Sequence, residues 1–297
     1  MREPAIRLAG VSKAFPVPFH RRVIVALRDL NLEIAPGEVY GLLGPNGSGK
    51  STTLKIIMGL VTPTRGTVAI FGRDNSAVAT RRDIGFLPEN AYFHKFLTGA
   101  ETLRFHARLS GLNRRQTNAR IDELLETVGL VHARNARLGT YSKGMLQRIG
   151  LAQALIHNPK LLILDEPTAA VDPAGSRDIQ NLIASLKQDG VTVLLSSHLL
   201  TQVQEICDRV GILHRGTLLR EGRVEDLLAI EDQTELVIEN ASPELLAALD
   251  QQIVSANARV VARRKPQTSL EQLFLKETES NTSDVSGHRP PLQPNEE

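Results

Sequence analysis

From Gly44 to Ser51 the chain reads Gly-Pro-Asn-Gly-Ser-Gly-Lys-Ser, which meets G-x-x-x-x-G-K-[ST] at every defined position. The apolar run Val39-Tyr40-Gly41-Leu42-Leu43 precedes it, and the helix-favouring Thr52-Thr53-Leu54-Lys55-Ile56-Ile57-Met58 follows. A strand, a tight loop and a helix are therefore expected in that order. The glycines Gly44, Gly47 and Gly49 let the backbone turn its N–H groups inward around a phosphate chain, and the helix points its positive end at the same anion. Pro45, Asn46 and Ser48 fill the remaining positions of the cradle, and Thr52 carries it into the helix. Lys50 is spaced to reach β- and γ-phosphate oxygens, and the Ser51 hydroxyl to ligate Mg²⁺. A glycine-rich turn matches this pattern by accident in about one chain of this length in a hundred, before strand and helix are required. Nucleotide binding is the reading that the spacing supports.

The 297 residues, 41% of them hydrophobic, allow one large or two modest domains with a substantial core. A net charge of only +2 gives no basic footprint, so nucleic acid is not expected as a partner. The single cysteine, Cys207, excludes an internal disulfide and suits a reducing compartment. It lies in an apolar pattern, Val203 to Leu213, that reads as helical, so a buried structural thiol is expected. No apolar run approaches bilayer-spanning length, and the N-terminal residues lack the apolar core of a signal peptide. The expectation is a soluble, cytoplasmic chain that another subunit brings to any membrane it serves.

Strand patterns cover residues 5–11 and 23–34, with a proline-stiffened loop from Phe15 to Arg22 between them. Phe15 reads equally as a stacking surface for a purine base or as a loop aromatic that packs locally. A polar stretch from Arg73 to Asp83 leads to a strand at Ile84 to Leu87, and from Thr98 to His157 the period is helical. The runs Leu161 to Leu164 and Val191 to Leu195 are those of parallel strands buried on both faces. Strands alternating with helices imply an α/β class, a doubly wound core around the phosphate loop. That core is expected over residues 1–230, with a helical subdomain at about 90–158. A small accessory α+β appendage is expected at 231–276: a strand at 234–239, a helix opened by Ser242-Pro243-Glu244, a strand from Ala258 to Ala262 and a capping box from Thr268 to Glu271. The tail 277–297, almost without large apolar groups, is expected to be disordered.

Three further groups carry chemistry. Asp165-Glu166 ends a buried strand, where open α/β sheets bind ligands, so Asp165 suits a Mg²⁺ contact and Glu166 the base for an attacking water. Away from a phosphate loop, such a pair is an ordinary solvated strand end. Ser142 opens a helix with Gly144 behind it, which serves either as a plain helix cap or as a second anion site. His198 follows Leu194-Leu195-Ser196-Ser197 and by itself reads as a satisfied strand-end histidine.

Taken in order, these motifs resemble the ATP-binding subunit of an ABC transporter, from about Ala5 to Glu225. The phosphate loop, the signature around Ser142 to Met145, Asp165-Glu166, the loop Ala169-Ala170-Val171-Asp172 and His198 all stand where that family has them. The resemblance implies ATP and Mg²⁺ as cofactors, with Phe15 under the base, Asp172 against the partner subunit, and His198 at the γ-phosphate and attacking water. It implies a head-to-tail homodimer in which Ser142 and Gly144 of one copy complete the site of the other. It also implies a polytopic transmembrane permease subunit and a peripheral place on the cytoplasmic face of the cell membrane. Where the family usually has glutamine, this chain has Glu89, which would join Ser51 and Asp165 near the metal. The signature reads Tyr141-Ser142-Lys143-Gly144-Met145 rather than leucine-serine-glycine-glycine-glutamine. Both variants, and the ending Ser269 to Phe274, are similar to the group that serves multidrug, polysaccharide and metallocentre-assembly exporters. The rival is a soluble non-transport ATPase of the same type, acting in DNA maintenance or translation. The first would need a long coiled coil ahead of the signature, and no sustained heptads occur there; the second would normally carry two cassettes.

Overall fold

The computed structural model describes residues 3–16, 22–169, 171–229, 238, 240–256 and 258–261. The chain divides into two compact units, Met1–Ala229 and Ile230–Glu297. The first unit opens with β1 (Ile6–Pro16) and β2 (Val23–Ile34), then β3 (Val39–Leu43), which runs through the phosphate loop into α1 (Lys50–Ile57). Next come β4 (Arg65–Ile70), β5 (Arg73–Asp74), α2 (Val78–Arg81) and β6 (Ile84–Leu87). The helical stretch holds α3 (Gly99–Leu109), α4 (Arg114–Thr127) and α5 (Lys143–Leu155), with short 3₁₀ turns at Val131–Ala133 and Leu138–Thr140. Then follow β7 (Leu161–Asp165), α6 (Pro173–Gln188), β8 (Thr192–Ser197), α7 (Leu200–Ile206), β9 (Arg209–His214), β10 (Thr217–Arg223) and α8 (Val224–Leu228).

Two sheets result, an antiparallel one ordered β2-β1-β4-β5 and a larger one ordered β10-β9-β3-β8-β7-β6. The larger sheet is parallel from β9 across to β6, with β10 antiparallel at its edge. Every residue of β3, β7 and β8 is buried, as their unbroken apolar runs require of strands covered on both faces. Side-chain alternation divides the interior in two. Val39, Leu43, Leu162, Leu164, Val193 and Leu195 face α3, α4, α5 and α6. Tyr40, Leu42, Leu161, Ile163 and Leu194 face α1 and the antiparallel sheet.

Three local readings change in the first unit. β1 continues to Pro16, so Phe15 is a strand residue opposite Ile24 and not part of a loop. The polar stretch Arg73 to Asp83 contains β5 and α2. The pattern from Val203 to Leu213 is not one helix, because α7 stops at Ile206 and Arg209–His214 is a strand paired with β3. The cause is non-local: the Asp208 carboxylate accepts the Val39 N–H at 3.0 Å and pins the chain beside β3, where Val210 and Ile212 suit a strand. Cys207, between the two elements, is buried, and burial pushes its thiol pKa up.

In the second unit, α9 (Pro243–Ser255) starts at Ser242, whose hydroxyl accepts the Leu245 N–H at 3.3 Å. Residues 258–261 carry no regular structure where a strand was expected from Ala258 to Ala262, and no strand pairs with them among the described residues. Ala262, the expected strand at 234–239 apart from Ile238, the capping box at Thr268, the ending Ser269 to Phe274 and the tail 277–297 lie outside the described residues. Among the described residues, no helix is long and apolar enough to cross a membrane.

Candidate functional site

Register places the candidate groups. Leu43 pairs with Ser197, Asp165 with Ser196, and Leu87 with Leu164, so β3, β8, β7 and β6 end side by side. The phosphate loop, His198, Glu166 and the segment Pro88-Glu89 therefore leave one edge of the sheet, the C-terminal edge where α/β folds bind ligands.

In the phosphate loop the backbone comes too close to its surroundings for a side chain. A Cβ at Gly44 would lie 2.2 Å from the Leu213 carbonyl oxygen, and one at Gly49 would lie 2.8 Å from that of Ala26. Both glycines also have positive φ, 154° and 111°. The Ser48 hydroxyl is buried in this loop with no hydrogen-bond partner among the described residues, as a donor reserved for an anion would be. Gly49 caps α1 without a side-chain bond and the first turn holds no acid, so the helix N–H groups are free for phosphate oxygens. Lys50, only 7% exposed, donates from Nζ to the Gly44 carbonyl at 2.6 Å and stands 3.7 Å from Glu166 Oε1. Ser51 and Thr52 occupy the same turn, half-buried.

Glu166 has φ 52°, a left-handed backbone that is costly for a residue with a side chain. Its N–H donates to the Ser196 carbonyl at 3.1 Å and lies 3.2 Å from the Ser196 hydroxyl, which holds the turn. The turn sets the buried carboxylate between two groups: Oε1 faces Lys50, while Oε2 accepts from His198 Nδ1 at 2.8 Å and from the His198 N–H at 3.3 Å. Ser196 also donates its hydroxyl to Asp165 Oδ1 at 2.5 Å, so one serine orients both acids. The motif reading missed Ser196; its only signal was a hydroxyl pair, Ser196-Ser197, closing an apolar strand.

Lys50, Ser51, Asp165, Glu166 and His198 are thus gathered at one place, while the other candidates stand around it. Glu89 follows β6, one strand from Asp165 and three from the phosphate loop, about 14 Å at normal strand spacing. It is exposed and makes no hydrogen bond or ion pair among the described residues. Phe15 lies on β1 opposite Ile24, two residues from the Ala26 carbonyl that closes on Gly49. The Lys13 ammonium covers one face of its ring at 4.9 Å while donating to the Thr62 carbonyl at 2.7 Å. Ser142 is exposed at the start of α5 and accepts the Met145 N–H at 3.2 Å. A Cβ on Gly144 would meet Val171 at 3.6 Å and Asp172 Oδ1 at 4.0 Å, so signature and Asp172 loop adjoin within the chain. Asp172 opens α6 without capping it, and its carboxylate is exposed.

Among the described residues, no three His, Cys, Asp or Glu side chains converge to hold a metal ion. The hard oxygens of Ser51 and Asp165 fit instead an ion such as Mg²⁺, which takes one or two protein ligands and the rest from phosphate and water.

A second charged cluster lies at the opposite edge of the sheet. Arg209 donates to the Glu33 carbonyl at 3.2 Å, to Glu38 Oε1 at 3.3 Å and to Glu221 Oε1 at 2.5 Å. Burial raises the Glu221 pKa against the pull of Arg209, and burial together with Glu221 raises that of Tyr40. The Arg209 fork is spent on these acceptors, so the cluster clamps the two sheets.

Residues 27–169 match the family model for the ABC transporter. An uncharacterized ABC transporter ATP-binding protein of Synechocystis is 35% identical over 292 residues, covering 90% of this chain and 82% of the relative. The bacitracin transport ATP-binding protein BcrA of Bacillus licheniformis is 43% identical over 196 residues, covering 65% of this chain and 63% of its own. Among solved structures, the dimeric post-hydrolysis state of the ATP-binding cassette MJ0796, bound to ADP and Pi, superposes with a TM-score of 0.68 at 30% identity. That match covers 74% of this chain and 98% of the other.

Proposed function

The chain belongs to the ABC transporter ATP-binding proteins, and from that membership we propose that it hydrolyses ATP as one of two copies that drive a separate membrane permease. The observation that carries this reading is the Glu166 carboxylate, buried between Lys50 at 3.7 Å and His198 at 2.8 Å beside the phosphate loop. Lys50 and the N–H groups of α1 hold the phosphates, with Lys50 exchanging the Gly44 carbonyl for a phosphate oxygen. Phe15 offers its uncovered face to the base. Glu166 accepts the proton of a water that attacks the γ-phosphorus, the bond to the β-phosphate oxygen breaks, and ADP leaves with that electron pair. His198 holds the γ-phosphate side of the water, and Asp165 and Ser51 hold Mg²⁺. Bound there, Mg²⁺ supplies charge neutralisation on the β- and γ-oxygens.

Ser142, Gly144 and Asp172 complete the site from the second copy. Their support is that Ser142 and Asp172 are exposed, that Gly144 adjoins Asp172, and that neither Ser142 nor Asp172 bonds to the phosphate loop of its own chain among the described residues. The permease docks on the segment after Glu89 and on α3, where Tyr92, Phe96, Phe105 and Leu109 are 91%, 69%, 51% and 70% exposed. Glu89 sits at the root of that segment and reports docking to the metal side of the site. Export is the direction we assign, supported by the variant signature and by likeness to a bacitracin transport protein. Glu166→Gln tests the chemistry: it is expected to bind ATP normally and to lose about 10²–10⁴ in turnover. Normal hydrolysis by that variant would remove Glu166 as the base.

A further inference from the structure

Helix α7 begins two residues after His198, and one side chain joins it to two other parts of the site. Thr168 donates its hydroxyl to Gln202 Oε1, and Gln202 Nε2 donates to Ser176 Oγ at 3.1 Å. Thr168 lies two residues after Glu166, and Ser176 lies in the first turn of α6, four after Asp172. Both hydroxyls are buried, at 6% and 2% exposure, so neither finds water if the amide is removed. An amide suits this place because it accepts from one hydroxyl and donates to the other. Besides this, α7 is held by buried Val203 and half-buried Ile206 against the core and by the Arg177–Glu205 ion pair to α6 at 3.0 Å, which is solvent-exposed and weak.

We propose that Gln202 is a positioning residue for ATP hydrolysis. It holds α7, and with it His198, in register with the loop carrying Glu166 and the helix that follows Asp172. The proposal rests on the roles given above to Glu166 and His198, and it adds a path between them and the second copy. Because α6 and α7 are tied through Ser176 and Gln202, a push on Asp172 is passed to His198 as movement of one body.

The test uses the full chain, with turnover and ATP affinity measured on the same preparations. Gln202→Met keeps the length and removes both hydrogen bonds; it is expected to lower kcat about tenfold with ATP affinity within about twofold of wild type. Gln202→Glu offers oxygens to both hydroxyls and is expected to restore kcat to within about threefold. In a His198→Ala background, Gln202→Met is expected to add no further loss, since the two act as a unit. Wild-type kcat in Gln202→Met, equal fall of affinity and rate, or a full further loss in the His198→Ala background would each overturn the proposal. Failure of the underlying reading looks different: the unaltered chain would show no turnover that Lys50→Ala abolishes.

Discussion

At the C-terminal edge of the parallel sheet Lys50 stands 3.7 Å from Glu166, with Asp165 beside it; at the opposite edge Arg209 stands 3.3 Å from Glu38 and 2.5 Å from Glu221. Each edge sets one cation against two carboxylates, both buried at the first edge, one buried and one half-buried at the second. The difference lies in what else each group is bonded to. Arg209 spreads a planar fork over two acids and a carbonyl, a fixed geometry that a lysine does not reproduce. Lys50 rests only on carbonyls of its own loop, Gly44 at 2.6 Å and Pro45 at 3.5 Å, Ser48 has a buried hydroxyl without partner among the described residues, and Glu166 sits on a left-handed backbone. The first edge keeps backbone strain and a loosely held ammonium at the proposed phosphate site, and the second spends the Arg209 fork on holding two sheets together.

Removing each cation separates the two edges. Lys50→Ala is expected to lower ATP turnover by about 10²–10³ while leaving the unfolding midpoint nearly unchanged. Arg209→Met is expected to do the reverse. With Glu38 and Glu221 left without a cation, urea unfolding is expected to show a loss of about 2–3 kcal/mol, with turnover per folded molecule close to wild type. If Arg209→Met abolished turnover in folded protein, the edges would not be independent. A smaller effect sharpens the picture of the interior between them. Cys207 is buried with a raised thiol pKa, so a thiol reagent at pH 8 is expected to modify the native chain about a hundredfold more slowly than the urea-unfolded chain.

The C-terminal edge was largely legible in the sequence, because its groups come in local signatures: a glycine loop before a helix, two acids closing an apolar run, a histidine closing another. The extents of β6 and the start of α9 also followed from local pattern. What local pattern does not contain is which strands lie side by side. Ser196 reaches Asp165 because β8 pairs with β7, and Gln202 reaches Thr168 and Ser176 only once α7 lies against α6. The apolar spacing from Val203 to Leu213 fits a helix, and a tether from Asp208 to Val39 makes half of it a strand. Arg209 gave no signal either, since Glu38 and Glu221 join it only through strand order.

The central claim is that the gathered site is half of a site, finished by Ser142 of a second copy. Its most direct measurement mixes a Lys50→Ala chain with a Ser142→Arg chain, each inactive alone, and assays ATP turnover. In the mixed dimer one site draws Lys50 and Ser142 from the two intact halves, so the account predicts that mixing restores a substantial fraction of wild-type turnover. No turnover from the mixture, with both chains folded and dimerising, would contradict it.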